Sequence, residues 1–343
     1  MFRTETPRLP FPFGSAGHKL NPSPSKTPNL ISKSFDENLL RRLDMLDPPS
    51  VAYSWLSRAV DLLSSTHAEA ESLISDLTAS APEKSLPSFL DDSIKVLDVC
   101  NSITAEIERL RQGRLLIHLV LHLLRSGGPD REVPAPESLS KARDLLAEHG
   151  KSTPLGKKSL TLESSAALIR DLARATGAPQ RGKIHAAEKA LRHVIYAAGA
   201  VTVFLAGAIV AILAGLPDVV VLPVPSEFLW SEKFNAIQVV VSGEIRKRFS
   251  GDGKRHAEER EAVEAALRRA ADVIAAEGET DAERLRNAVK DLETATKDCS
   301  DGLDRLADGM NGFFRAVLCT RNTVLKKFRV DQRKQNICKI RQM

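Results

Sequence analysis

Two histidines at a helical spacing come nearest to a metal-binding or catalytic pattern in this sequence. His118 and His122 stand four residues apart in LLIHLVLHLL, so a helix places both on one face. Two zinc ligands can be arranged in this way, as in the H-E-x-x-H motif. The glutamate of that motif is missing here, and the neighbouring residues signal no third ligand. We predict no metal site and no cofactor, and we keep a metal-assisted enzyme as an alternative.

Other signatures of chemistry are missing from the sequence. It contains no G-x-x-x-x-G-K-[ST] loop for nucleotide phosphates and no G-x-S-x-G turn for a nucleophilic serine. The four cysteines form no C-x-x-C pair, which is typical of reduced thiols in a chain of 343 residues. Cys100, Cys299 and Cys319 follow apolar helical stripes, so we expect them to pack in the core. The sequence therefore predicts a protein that is not an enzyme.

The composition indicates helices and a mixed charged surface. Hydrophobic residues make up 43% and aromatic residues only 5% of the chain, and alanine and leucine supply much of the apolar content. The net charge of +5 is modest, and acidic residues pair with basic ones at helical spacing. The basic C-terminal stretch KKFRVDQRKQNICKIRQM has no interleaved aromatics, so nucleic-acid binding is not expected.

Proline positions and apolar periodicity predict an all-α fold, an elongated antiparallel helical bundle with long, coiled-coil-like helices and one strongly apolar helix. In the first segment, Ser23 and Thr27 each precede a proline and are candidates for phosphorylation. The predicted segments are a disordered Pro/Ser-rich tail (1–33), N-terminal helices beginning at the capping pattern of Ser34 (34–126), a variable loop with short helices (127–182), the apolar helix (183–225), a C-terminal helical hairpin (226–329) and a basic tail (330–343).

The apolar helix is the most unusual element, because no charge interrupts residues 194–216. That length is close to the ~20 residues that cross the hydrocarbon core of a bilayer. Small residues recur every fourth position, as in membrane helices that approach closely. A buried helix at the centre of a soluble bundle has the same composition, so both interpretations stay open. A membrane span would include Val194, Phe204, Gly207, Ala211, Gly215 and Leu216.

Four stretches of helical sequence resemble the plant Bypass-one family. They are PFPFGS, YSWLSRAVDLLSSTHAEAESLISDL, SIKVLDVCNSITAEIERLRQGRLLIHLVLHLL and DGMNGFFRAVLCTRNTVLKKFR, and the resemblance extends from about residue 34 to residue 329. It implies a regulator of plant growth that restrains a root-derived mobile signal affecting the shoot. It carries no catalytic residues or cofactor.

From the resemblance and the apolar helix together, we predict a non-enzymatic regulator associated with endomembranes or plastids. Its expected partners are other proteins, bound through helical faces, and membrane lipids; its oligomeric state is left open. The alternative is a soluble coiled-coil adaptor in the cytoplasm, with the apolar helix buried.

Overall fold

The described part of the chain is helical from end to end. The structure is a computed structural model that describes residues 28–47, 50–78, 86–125, 134–152, 160–177, 185–251, 256–276 and 281–341. Within these ranges there is no strand, which confirms the predicted all-α fold. The helices are α1 (Pro28–Asp44), α2 (Tyr53–Thr78), α3 (Leu86–Arg125), α4 (Pro136–Ser152), α5 (Leu160–Ala175), α6 (Ala186–Ala214), α7 (Ser231–Phe249), α8 (Glu258–Ala275) and α9 (Ala282–Arg341).

Two long packing centres organise the bundle, and α2 lies between them. One is α9, whose 60 residues correspond to a rod of roughly 90 Å. It packs against α2, α3 and α8. The other is α6, which packs against α1, α2, α3, α5 and α7. Most buried apolar side chains of both centres belong to one continuous hydrophobic core, and Leu285 of α9 belongs to a second, smaller cluster.

The helix α6 is buried by its neighbours over most of the apolar stretch. Val194 and Phe204 are completely inaccessible to solvent, and Ala211 is almost so. A Cβ atom on Gly207 would contact Ile169 of α5 at 3.4 Å, so this glycine faces another helix of the same chain. Gly215 ends α6 in the left-handed conformation with φ of 67°, and Leu216 beyond it is half-buried.

This burial bears directly on the two interpretations of the apolar helix. Among the described residues, α6 is the one helix with the length and apolar composition to cross a bilayer, and most of its apolar stretch lies inside the bundle. Trp230, which a span would place at the membrane interface, is completely buried and donates its indole N–H to Asp36 Oδ1 at 3.1 Å. The packing therefore favours the buried-helix alternative.

Several predicted boundaries and positions differ from the structure. α1 begins at Pro28, not Ser34, because proline suits the first turn of a helix, where its missing N–H is not needed. α7 begins at Ser231, five residues after the predicted cap Ser226. α9 continues to Arg341, through most of the predicted basic tail.

One predicted core residue is not in the core. Cys319 is exposed, because the buried stripe of α9 passes through Val317 and Thr320 on either side of it. Ser23 and Thr27 lie outside the described residues.

The pairing of α2 with α9 is parallel, in addition to the antiparallel pairing of α3 with α9. Gly302 lies against Tyr53 and Gly309 against Val60, so both helices advance seven residues in the same direction. A Cβ atom at Gly302 would stand 3.0 Å from Tyr53 Cβ, and one at Gly309 would stand 3.2 Å from Val60 Cγ1. These are tighter than ordinary carbon–carbon contacts of about 3.5–4.0 Å. The two glycines therefore set how closely the helices approach.

We expect the double variant Gly302→Ala, Gly309→Ala to be less stable than wild type by about 2 kcal/mol, because overpacking a close contact costs more than alanine gains in helix propensity. Gly312→Ala is the matched control on the same helix. Its Cβ would stand 3.7 Å from Ser64 Oγ, an ordinary contact, so the control should gain up to about 1 kcal/mol. Urea denaturation measures the free energy of unfolding of the double variant and of the control. Equal stability changes in the two proteins would contradict the close-approach argument.

Candidate functional site

A cavity opens beside α6, on the side where α2, α3 and α5 meet it. Its volume is about 380 Å³, within the range of small-molecule sites. Most of its wall is apolar and comes from three helices, α3, α5 and α6. The side chains that line this wall include Phe89, Val96, Leu172, Ala175, Ile195, Ala198 and Val203.

A histidine and a threonine, both buried, form the polar floor of this cavity. His67 Nε2 lies 2.8 Å from Thr202 Oγ1, and the Thr202 hydroxyl donates to the Ala198 carbonyl at 2.7 Å. Because that hydroxyl has only one hydrogen, His67 Nε2 must be the donor to Thr202. Burial lowers the pKa of His67 to about 4, so the ring is neutral near pH 7. Its Nδ1 is therefore an unprotonated hydrogen-bond acceptor.

Neighbouring elements hold the ring of His67 in place. Phe313 of α9 meets it edge-on, with ring centroids 5.2 Å apart. The Thr320 hydroxyl lies 3.4 Å from the His67 carbonyl, although its shorter bond, of 2.8 Å, goes to Ala316. The floor of the cavity is thus built by α2, α6 and α9 together, which explains why no local motif encodes it.

The cavity also has a cationic side chain at its wall. Arg192 donates through Nη2 to Glu188 Oε1 at 2.6 Å, and this i, i+4 pair is largely shielded from solvent. The Nε atom of Arg192 is buried and has no hydrogen-bond partner. Nearby, Tyr196 is buried against Phe228, and burial raises the pKa of its hydroxyl. The Arg192 Nε–H is thus a donor that lacks an acceptor, a state that costs free energy.

Two properties of these groups favour binding over proton transfer. A histidine with a pKa near 4 is a weak base at neutral pH, and general bases work best with a pKa near the operating pH. The hydroxyls of Thr202 and Thr176 donate to backbone carbonyls of their own helical turns. The cavity offers hydrogen-bonding groups in apolar surroundings, which is the usual composition of a ligand pocket.

The structure places the two metal-ligand candidates away from this cavity. His118 and His122 are both exposed on α3. His118 lines a groove between α3 and α9, in which Arg111, Arg114 and Lys297 supply positive charge. No group of three metal-ligating side chains occurs among the residues that the structure describes. The third ligand that a zinc site at His118 and His122 requires is therefore not found there.

Sequence reasoning missed the residues that form the cavity. One signal for them was present, because Thr202 is the only polar side chain between residues 197 and 216. A lone hydroxyl in an apolar helix needs a partner when it is buried. Its partner, His67, is 135 positions away in the sequence, and no spacing rule connects the two.

Comparison with known proteins identifies relatives in plants. A family model described as Protein ROH1-like matches residues 31–147. Protein BPS1, chloroplastic, from Arabidopsis thaliana is 29% identical over 339 residues, which cover 95% of this chain and 92% of that protein. UPF0496 protein 4 from Oryza sativa subsp. japonica is 33% identical over 301 residues, and its counterpart from subsp. indica is 32% identical over the same length.

The match to the rice proteins covers 84% of this chain but only 64% of their length. No solved structure matches this chain. The predicted resemblance is thus confirmed by the alignment to the Arabidopsis protein, which runs through nearly the whole of both chains.

Proposed function

From its similarity to the plant Bypass-one family over nearly its whole length, we propose that this chain is a regulatory protein of plant development that acts by binding and not by catalysis. The proposed regulator is a folded helical bundle with α6 as its central core helix. Its partners are other proteins, contacted through the exposed faces of the helices. The name of the Arabidopsis relative includes the word chloroplastic, which supports a plastid location.

The burial of α6 carries this proposal. A helix that is apolar on all sides needs apolar surroundings, and lipid or other helices can supply them. Here α1, α2, α3, α5 and α7 all pack against it. Aromatic contacts reinforce the packing, since Phe204 meets Phe234 of α7 edge-on with centroids 5.7 Å apart. Extraction of α6 into a bilayer would remove the shared core from each of these helices.

Exposed apolar side chains on α7 offer one surface for a protein partner. Val239 and Val240 are both exposed there, and Leu229 just before the helix is exposed as well. Exposed apolar side chains on otherwise polar surfaces can serve as contacts for a protein partner, and Val239 and Val240 are adjacent in the sequence. This surface belongs to the folded bundle and leaves the packing of α6 intact.

Membrane insertion is the second candidate, favoured by the length and apolar composition of α6. In that case the full-length protein would be an integral membrane protein with α6 in lipid. The other helices would then have to pack without their central partner. The word chloroplastic in the name of the Arabidopsis relative agrees with this candidate as well, since plastids contain membranes.

Fractionation of plant tissue that expresses the full-length chain separates the two candidates. We expect the protein to leave the membranes on washing with alkaline carbonate, because a helix buried in its own bundle has no lipid-embedded surface. An integral organelle membrane protein serves as the retained control and a stromal enzyme as the released one. Retention of the chain with the integral control would contradict the proposal and establish the second candidate.

A further inference from the structure

We propose that the cavity beside α6 binds a neutral, mainly apolar small molecule that carries a hydroxyl or carbonyl oxygen. This inference goes beyond the proposed function, which rests on the fold and on protein contacts. It depends on three observations: the size and apolar wall of the cavity, the polar side chains of His67 and Arg192 among its lining residues, and the balance of charge at the wall.

The apolar wall fixes the character of the body of the ligand. The cavity volume of about 380 Å³ is large enough for a compact organic molecule. Its surface is made by Val96 of α3, Leu172 of α5, and Ile195 and Val203 of α6. Removing apolar ligand surface from water is worth roughly 25 cal/mol per Å², so an apolar body gains most from this wall.

Two polar side chains at the lining offer alternative positions for the oxygen. Arg192 lines the cavity, and its buried Nε–H has no acceptor in the protein, so a small shift of this side chain toward the cavity would let a ligand oxygen accept from it. At the floor, His67 Nδ1 is an acceptor, because Nε2 donates to Thr202 and the ring is neutral. A hydroxyl group can serve either position, since it both donates and accepts. Arg192 and Thr202 are ten residues apart on α6, or about 15 Å, so one ligand oxygen reaches one of the two groups and is oriented by it.

The charges at the wall explain why the ligand is neutral. Arg192 is neutralised by Glu188 at 2.6 Å, and Asp92 is neutralised by Lys95 at 3.0 Å. Arg192 and Asp92 line the cavity, so a ligand carboxylate would have to compete with Glu188 for Arg192 and would be repelled by Asp92. A ligand cation would have to compete with Lys95 for Asp92 and would be repelled by Arg192. Burying an unpaired charge is costly, so an uncharged molecule is preferred over either ion.

Nile red, a neutral apolar dye with a carbonyl oxygen, tests the proposal on the purified full-length chain without detergent. We expect its fluorescence to rise on binding and to saturate at one dye per chain. Ala175→Trp places a large side chain at an exposed position of the cavity rim and should weaken binding at least about tenfold, or ~1.4 kcal/mol. Ala167→Trp is the matched control, because Ala167 is exposed on the same helix and does not line the cavity.

A second variant tests the polar contact. Arg192→Lys keeps the positive charge beside Glu188 but removes the Nε–H donor, and one hydrogen bond corresponds to about a fivefold loss of affinity. Three results would overturn the proposal: no saturable rise in the wild type, equal affinity in the Ala175→Trp and Ala167→Trp proteins, or unchanged affinity in Arg192→Lys. Tighter binding of the anionic dye anilinonaphthalene sulfonate than of Nile red would overturn the preference for a neutral ligand.

Discussion

The double variant Ala208→Arg, Val210→Arg is expected to lose its helical circular dichroism signal and its cooperative thermal transition. Both side chains are buried in α6, with no more than 1% of either exposed. The substitutions place two guanidinium groups in an apolar core without acceptors or counter-charges. Each unpaired buried charge costs several kcal/mol, and the free energy of unfolding of a whole domain is about 5–15 kcal/mol. The summed cost is large enough to unfold the bundle.

The matched control is Ala236→Arg, Val239→Arg on α7. It introduces the same two residue types in place of the same two, at positions that are exposed to solvent. Surface substitutions of this kind change the free energy of unfolding by about 0.5 kcal/mol or less. The control should therefore keep its helical signal and melt within a few degrees of the wild type.

The same pair of variants distinguishes a core helix from a membrane span. Arginines in a span would prevent insertion, since each costs about 2.5–3.5 kcal/mol at the centre of a bilayer. The remaining helices would not depend on α6, and the variant would be a folded, soluble protein. A variant that stays helical and cooperative in detergent-free buffer would therefore contradict the central role of α6 in the bundle.

The difference between α6 and the other helices also explains what the sequence could predict. Amphipathic helices can be predicted from the sequence, because apolar residues recur every three or four positions on their buried face. In α9 these residues include Leu303, Leu306, Met310 and Phe313, all of them buried. The repeat in α6 is hidden, since every face is apolar. The composition of α6 predicts that the helix lies away from water, but it does not predict whether lipid or other helices surround it. That depends on the five helices around α6, whose arrangement no local pattern contains.

Hydrogen bonds between distant parts of the chain could not be predicted from the sequence for a similar reason. Asp36 of α1 accepts hydrogen bonds from His193 of α6 at 2.7 Å and from Trp230 at 3.1 Å. In the sequence alone, Asp36 looks like an ordinary surface acid, His193 like a histidine that flanks a helix, and Trp230 like an aromatic residue at a membrane interface. Their hydrogen bonds become visible only after α1, α6 and the start of α7 have been brought together. The candidate cavity has the same origin, because its floor joins Thr202 to a residue of α2.

The stability of the wild-type protein is expected to fall by about 3 kcal/mol more than that of a His67→Gln variant between pH 7.5 and pH 4. Burial lowers the pKa of His67 from 6.5 to about 4 in the folded chain, while the unfolded chain keeps the ordinary value. Below pH 6.5 the unfolded state therefore binds a proton that the folded state excludes, and stability falls as the pH falls. Above pH 6.5 the ring is neutral in both states and has no effect. A shift of one pKa unit corresponds to 1.36 kcal/mol, which gives the expected size.

The glutamine variant makes this measurement specific to one residue. Glutamine can donate its amide N–H to Thr202 Oγ1, as His67 Nε2 does, but it does not titrate. Carboxylates elsewhere titrate in both proteins and cancel when the two stability curves are subtracted, as measured by urea denaturation at each pH. The difference should be flat from pH 8 to pH 7 and then grow toward pH 4. Parallel curves across the whole range would mean that the imidazole is accessible to protons in the folded chain, and the neutral acceptor assigned to the cavity floor would be wrong.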